Sequence, residues 1–303
     1  MKKVTIAVGL LALAAGAFVW AQSGSVKRSP FVANRAQADM KAMVDFGPRP
    51  AGSAAIDKTR AYIVAELKKS GLKAELDEFE AVTPKGKRRM INIRAIRPGT
   101  TSAVISLAGH FDTKVFEEFK FVGASDGASS AAWLLEMARI TTDLKLASNL
   151  EFLFFDGEEA VVDWSDFDSR YGSRYDVDRR QKAGTLQQLK ALILVDMIGD
   201  KNLNIKREAQ STDWLTAIIW NNAHAMGFTR EFLDETQVIE DDHLPYLNAK
   251  IPATDLIDFD YPDWHKQSDT LDKVSGESLR KVGDAVYASL PEIDRRVSSD
   301  GKK

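Results

Sequence analysis

Residues 103–108, 150–155 and 191–197 form short runs that are apolar at nearly every position. A strand with one wet face alternates apolar and polar side chains, so runs without that alternation belong to strands buried on both faces. Two further β-rich runs, 74–82 and 91–96, precede them, and helix-like stretches fall at about 128–142, 172–182, 211–226 and 275–290. This alternation predicts an α/β three-layer sandwich, with a central mixed, mostly parallel sheet flanked by helices. A chain of 303 residues that is 44% hydrophobic can fill such a core. Gly47-Pro48-Arg49-Pro50-Ala51-Gly52-Ser53 reads as a rigid turn. Its Ser53 is placed to cap a helix that carries Ile56, Ile63 and Leu67 on one face and ends at Gly71.

The ends lie outside that core. Lys2 and Lys3 precede an apolar run over 4–20, and Val19-Trp20-Ala21 offers small residues at cleavage offsets, the pattern of an export signal. Left uncleaved, the same run would be a membrane anchor, since a span needs roughly 17–25 residues. A periplasmic or secreted location is expected. Residues 1–21 are therefore set apart as signal or anchor, 22–34 as a polar linker, 35–295 as the catalytic domain and 296–303 as a tail. The formal net charge of −3 becomes −5 without Lys2 and Lys3, and mixed signs throughout leave no field that points to nucleic acid. No partner surface stands out, and a monomer is expected. Cysteine is absent, so disulfides and thiolate chemistry are excluded and any metal must be held by histidine and carboxylates.

In α/β sheets ligands bind beyond the carboxyl ends of the strands. Three strand ends carry acids there: 103–108 leads to His110-Phe111-Asp112, 150–155 to Asp156-Gly157-Glu158-Glu159, and 191–197 holds Asp196. Adjacent Glu158 and Glu159 repel each other, and one way to hold both is for one to bind a divalent cation while the other moves a proton. A solvated turn would hold them too. Asp126 precedes a helix, where capping is the competing explanation. Asp196 closes an apolar strand and is seldom buried without a metal, partner or proton. Of four histidines, His110, His243 and His265 neighbour acids in loops, while His224 sits in a helix-like segment and reads as structural. Asp241-Asp242-His243 could start a helix at Leu244, and Trp264 beside His265 suits a pocket wall.

The order His110, Asp126, Glu158-Glu159, Asp196, His265 resembles the co-catalytic zinc aminopeptidases. That likeness implies His110 and Asp196 for one metal, Glu159 and His265 for another, a bridging Asp126 and Glu158 as general base. Phe154-Phe155-Asp156-Gly157-Glu158-Glu159-Ala160, Trp164-Ser165, Asp168-Ser169-Arg170-Tyr171-Gly172-Ser173-Arg174, Val195-Asp196-Met197-Ile198-Gly199, Asp241-Asp242-His243-Leu244-Pro245 and Trp264-His265 look more specifically like the animal-type glutaminyl cyclases. The likeness spans nearly all of residues 35–290. It implies one zinc on Asp126, Glu159 and His265, which leaves His110 without a metal, either a vestigial ligand or one for a second ion. It also implies proton transfer by Glu158, an acidic network with Asp196 and Asp241, and a pocket lined by Trp164 and Trp264. The implied substrates are peptides or proteins with N-terminal glutamine, cyclised to pyroglutamate with loss of ammonia. Two departures touch the acidic network: Asp255 stands where the animal enzymes carry histidine, and Glu240 where they carry glutamine.

Overall fold

A computed structural model of the protein describes residues 28–299. The expected signal segment lies outside the described residues. Among them, no helix is long and apolar enough to cross a membrane.

Two helices, α1 (Ala33–Asp45) and α2 (Ala54–Lys69), lead to the hairpin β1 (Ala74–Thr83) and β2 (Gly86–Arg97). Then come β3 (Val104–His110), α3 (Ala128–Ile140), β4 (Asn149–Phe155), α4 (Tyr171–Lys182) and β5 (Leu189–Asp196). A small parallel pair, β6 (Ile205–Glu208) and β7 (Phe232–Gln237), brackets α5 (Asp213–Ala225). The short α6 (Leu244–Asn248), β8 (Ala253–Ile257) and α7 (Gly276–Ser299) complete the chain. The six-stranded sheet has the order β1-β2-β4-β3-β5-β8. Only β2 runs against the others, so the sheet is mixed and mostly parallel.

The apolar strands are buried on both faces. On β4, Leu150, Phe152 and Phe154 face the core beneath α1, α2, α3, α5 and α7, while Leu153 and Phe155 pack with Tyr246 on the opposite side. Each such side chain contributes roughly 1.5–3 kcal/mol by leaving water. Glu151 is the buried polar exception in this strand. It pairs with Arg180 at 2.6 Å, which also holds Asp176 at 2.6 Å, and Tyr246 Oη donates to Asp176 at 2.8 Å. The Ser53 hydroxyl accepts from Ile56 N at 3.1 Å, and α2 stops before Gly71, whose φ of +74° reverses the chain.

Both ends depart from expectation. Residues 28–34 are not a free linker. Ser29 Oγ donates to Asp284 at 2.6 Å, Val32 N donates to Glu136 at 2.9 Å, and Phe31 is buried against Gly283. Residues 296–299 continue α7 instead of starting a tail, because Val297 still packs on the core.

Parallel register brings His110 level with Phe155 and Asp196 level with Ile257. The carboxyl ends of β3, β4, β5 and β8 therefore share one edge, where His110 and Asp196 end their strands and Glu158 and Glu159 follow theirs.

Candidate active site

The loops after β3 and β4 are tied together by Asp112, whose two carboxylate oxygens accept from Glu158 N at 3.1 Å and Glu159 N at 3.3 Å. A second carboxylate, Asp269, accepts from Ser125 N at 2.8 Å, Asp126 N at 3.1 Å and the Tyr261 hydroxyl at 2.7 Å. Asp126 is thus held by its backbone and its side chain is left to the site. The cap position of α3 is Gly127, with no side-chain cap, so capping does not account for the Asp126 carboxylate. Gly127 has a φ of +92°, and a Cβ there would lie 2.4 Å from Asp112 O and 3.2 Å from His110 Cε1. Glycine is required by the closeness of these loops.

His265 Nε2 lies 3.3 Å from Glu159 Oε1 and 3.4 Å from Asp126 Oδ2. Donors about 2.0–2.1 Å from a tetrahedral zinc sit roughly 3.3 Å apart, so this spacing suits a shared ion. Asp126 Oδ2 is buried with no hydrogen-bond partner, a costly state unless a cation meets it. A second donor set, His110, Asp126 and Asp196, shares Asp126. In it, His110 Nε2 lies 3.0 Å from Asp196 Oδ1 and 3.3 Å from Asp126 Oδ1. Backbone strain gathers at these residues: Met197, next to Asp196, has a φ of 47° and His265 one of 53°. Non-glycine residues hold this conformation only where their surroundings enforce it.

The electrostatics follow from burying so many acids. Burial pushes Glu158 well above the usual carboxyl range, aided by Glu159, Asp241 and Asp242 and opposed by His110. Burial and Asp126 raise Glu159. Burial also opposes the charge on Asp126, but His110, His265 and Arg49 outweigh it and hold its pKa below normal. Burial works against the imidazolium of His110 too, yet Asp196 and Glu158 drive its pKa well up. Burial and the charge of Asp196 raise Asp241 well above the ordinary range.

These groups floor a cleft of about 500 Å³, in the range of ligand sites. Trp164 and Trp264 both line it. Trp264 stacks on His265 with centroids 4.4 Å apart, and Trp164 Nε1 donates to Glu240 at 3.2 Å. Asp241 lines the cleft as well, and its Oδ1 accepts from Asp242 N at 2.5 Å. The structure thus brings together Asp126, Glu158, Glu159, Asp196, Asp241, His265 and both tryptophans, with His110 beneath. His243 is turned away, donating or accepting at 3.1 Å with Glu208 and lying 3.6 Å from Asp255. His224 meets Phe232 O at 2.7 Å, a structural contact. His265 reaches Glu159 and Asp126 and makes no ion pair with its sequence neighbour Asp269.

Three supporting residues are harder to find by sequence reasoning. Asp112 had a signal in its place just after an apolar strand. Asp269 had only its nearness to His265. Arg49 is fully buried and spans Phe111 O, Val122 O and Gly123 O at 3.2, 2.6 and 2.9 Å, so it fastens the loop carrying Asp126. Its signal was the Gly-Pro-Arg-Pro turn.

The pattern of Peptidase family M28 matches residues 92–290. The glutaminyl-peptide cyclotransferase of Boiga irregularis is 30% identical over 288 residues, covering 79% of this chain and 76% of its own length. Among solved structures, a glutaminyl cyclase from an Acidobacteriales bacterium superposes with a TM-score of 0.83 at 35% identity, covering 89% of this chain and 97% of that one. A Zn-dependent exopeptidase from Parabacteroides distasonis superposes with a TM-score of 0.78 at 26% identity, covering 88% and 99%. By its matched core, its relatives and its fold, the chain belongs to peptidase family M28, and within that family it falls with the glutaminyl cyclases.

Proposed function

We propose that the protein is a zinc-dependent glutaminyl-peptide cyclotransferase, converting the N-terminal glutamine of peptides or proteins to pyroglutamate with release of ammonia. The observation that carries this reading is the meeting, on one cleft floor, of the Asp126, Glu159 and His265 donors with the buried Glu158 carboxyl. We assign Asp126, Glu159 and His265 as ligands of one zinc. Bound there, zinc supplies a Lewis acid for the γ-carboxamide oxygen.

The chain's own groups do the rest. Glu158 takes one proton from the α-amine as that nitrogen bonds to the side-chain carbonyl carbon, and returns it to the amide nitrogen as the carbon–nitrogen bond breaks and ammonia leaves. Burial raises the pKa of Glu158, which makes its carboxylate a stronger base for the α-amine proton than an exposed glutamate. Asp241, whose pKa burial and Asp196 raise, lines the cleft floor beside Glu158, and Asp196 stays fixed by Met197 N at 2.7 Å. Attack within one residue needs orientation more than force, and the two tryptophans supply flat walls for it.

The His110, Asp126 and Asp196 set favours a second reading, a two-metal aminopeptidase. The two are separated by giving the zinc-loaded protein a Gln-initiated and a Leu-initiated peptide and following ammonia and free amino acid. Ammonia without residue release supports the cyclase. Release of leucine would sink it, and silence toward both would point to a binding domain. We further infer that residues 1–21 direct export and that the mature protein is a monomer; an intact N-terminus on protein recovered from the cytosol would overturn the first, a dimer by light scattering the second.

A further inference from the structure

The cleft carries acids that the cyclisation does not use. Its floor carboxylates are buried, whereas Trp164, Trp264 and Phe259 are 36–39% exposed and stand at the mouth. Glu240 and Asp163 line the same cleft and are also exposed. Depth follows exposure. A peptide whose first residue sits on the floor would set the residue after it at this aromatic and acidic mouth. A volume of about 500 Å³ matches sites that enclose drug-sized ligands, so more than a single glutamine is accommodated.

The mouth is built in place. Asp168 accepts from the amides of Val161, Val162 and Asp163 at 2.9, 2.8 and 3.0 Å and from the Tyr171 hydroxyl at 2.7 Å, which fixes the loop that presents Asp163 and Trp164. Trp164 is then tied across to Glu240 through its indole N–H. Two cations lie near, and both are engaged. Lys114 Nζ turns to Ala160 O at 3.3 Å, and Arg170, behind the Trp164 ring at 5.5 Å, pairs with Asp166 at 2.7 Å. Neither Glu240 nor Asp163 has an ion-pair partner among the described residues. The same cleft also receives the buried Oδ2 of Asp241, which has no hydrogen-bond partner.

We propose that Glu240 and Asp163, set among Trp164, Trp264 and Phe259, form a subsite for a cationic side chain on the residue that follows the substrate's N-terminal glutamine. The inference rests on the cyclase reading. Indole faces attract a guanidinium or ammonium by their quadrupole, and the two carboxylates add Coulomb attraction while repelling an acidic side chain. Arginine fits better than lysine, because its planar group stacks and hydrogen-bonds at once.

The test compares kcat/KM, by ammonia release, for three otherwise identical amidated peptides that begin Gln-Arg, Gln-Ala and Gln-Glu. The zinc-loaded protein is expected to favour Gln-Arg over Gln-Glu roughly tenfold at low ionic strength, with the preference shrinking as salt is added. The Glu240→Gln/Asp163→Asn double variant brings that ratio close to one. Because the ratio is taken within one preparation, partial misfolding cancels, and Glu240→Gln alone keeps an acceptor for Trp164 and gives an intermediate ratio. Equal rates for the three peptides, or a preference untouched by the double variant, overturns the subsite alone. No ammonia from any peptide overturns the cyclase reading and the subsite with it.

Discussion

Glu158 and Glu159 are neighbours in sequence with separate surroundings. Glu159 faces His265 and Asp126, while Glu158 lies 3.8 Å from His110 Nδ1 and toward Asp241 and Asp242, whose charges lift its pKa further. One is therefore suited to a cation and the other to a proton. Glu158→Gln is expected to lower kcat by roughly 10²–10⁴-fold while metal content by elemental analysis is unchanged; full turnover in that variant would remove Glu158 from the chemistry. His265→Ala takes away the imidazole that both Glu159 and Asp126 face. It should leave a protein that fails to retain zinc through gel filtration, and stoichiometric zinc in that variant would disprove the ligand assignment. Asp255 stands apart from both, with neither carboxylate oxygen hydrogen-bonded and burial holding it well above the ordinary range.

At the scale of elements, the site depends on how closely strand ends and helix starts approach. Gly127→Ala would place a methyl group against Asp112 O and force a strained φ, so a loss of more than about 1 kcal/mol in chemical denaturation is expected, together with reduced activity. Ser53→Ala removes the cap on α2 and should cost about 1 kcal/mol while leaving kcat alone, since α2 contributes nothing to the cleft lining. These contrasts explain which elements could be read from the chain. β3, β4 and β5 were legible because no polar alternation competes with burial on both faces. β8 was hidden by Thr254 and Asp255: Thr254 is satisfied only by Thr216, 2.8 Å away on α5, and that contact has no local signature. Helix α1 has no side-chain cap and no acid in its first turn, so its start at Ala33 blurred into the preceding polar stretch. The residues expected at the site lie around one cleft, yet their supports Asp112, Asp269 and Arg49 act by contacts that only the folded chain creates.

Across the whole molecule, buried acids set the response to pH. Burial lifts Asp156, Asp242 and Asp258 to about 7 and Asp269 to about 6, and it also raises Asp241 and Asp255 well above their ordinary values. These groups keep protons in the folded state that they release on unfolding, where carboxyls titrate near 4. Stability should therefore fall as pH rises from about 4 through 7. The raised imidazoles His110 and His265 act in the same sense above pH 6. Metal binding releases protons and so gains with pH. The metal-free protein is expected to melt lower at pH 8 than at pH 5, and zinc to narrow that gap; a flat profile without metal would contradict the proton accounting. The three donors proposed for zinc also lie far apart along the chain, on loops that follow β3, β4 and β8. A nascent chain that has not yet made His265 holds Asp126 and Glu159 without their third companion. The complete donor set therefore exists only once the loop after β8 has been made and folded onto the ends of β3 and β4.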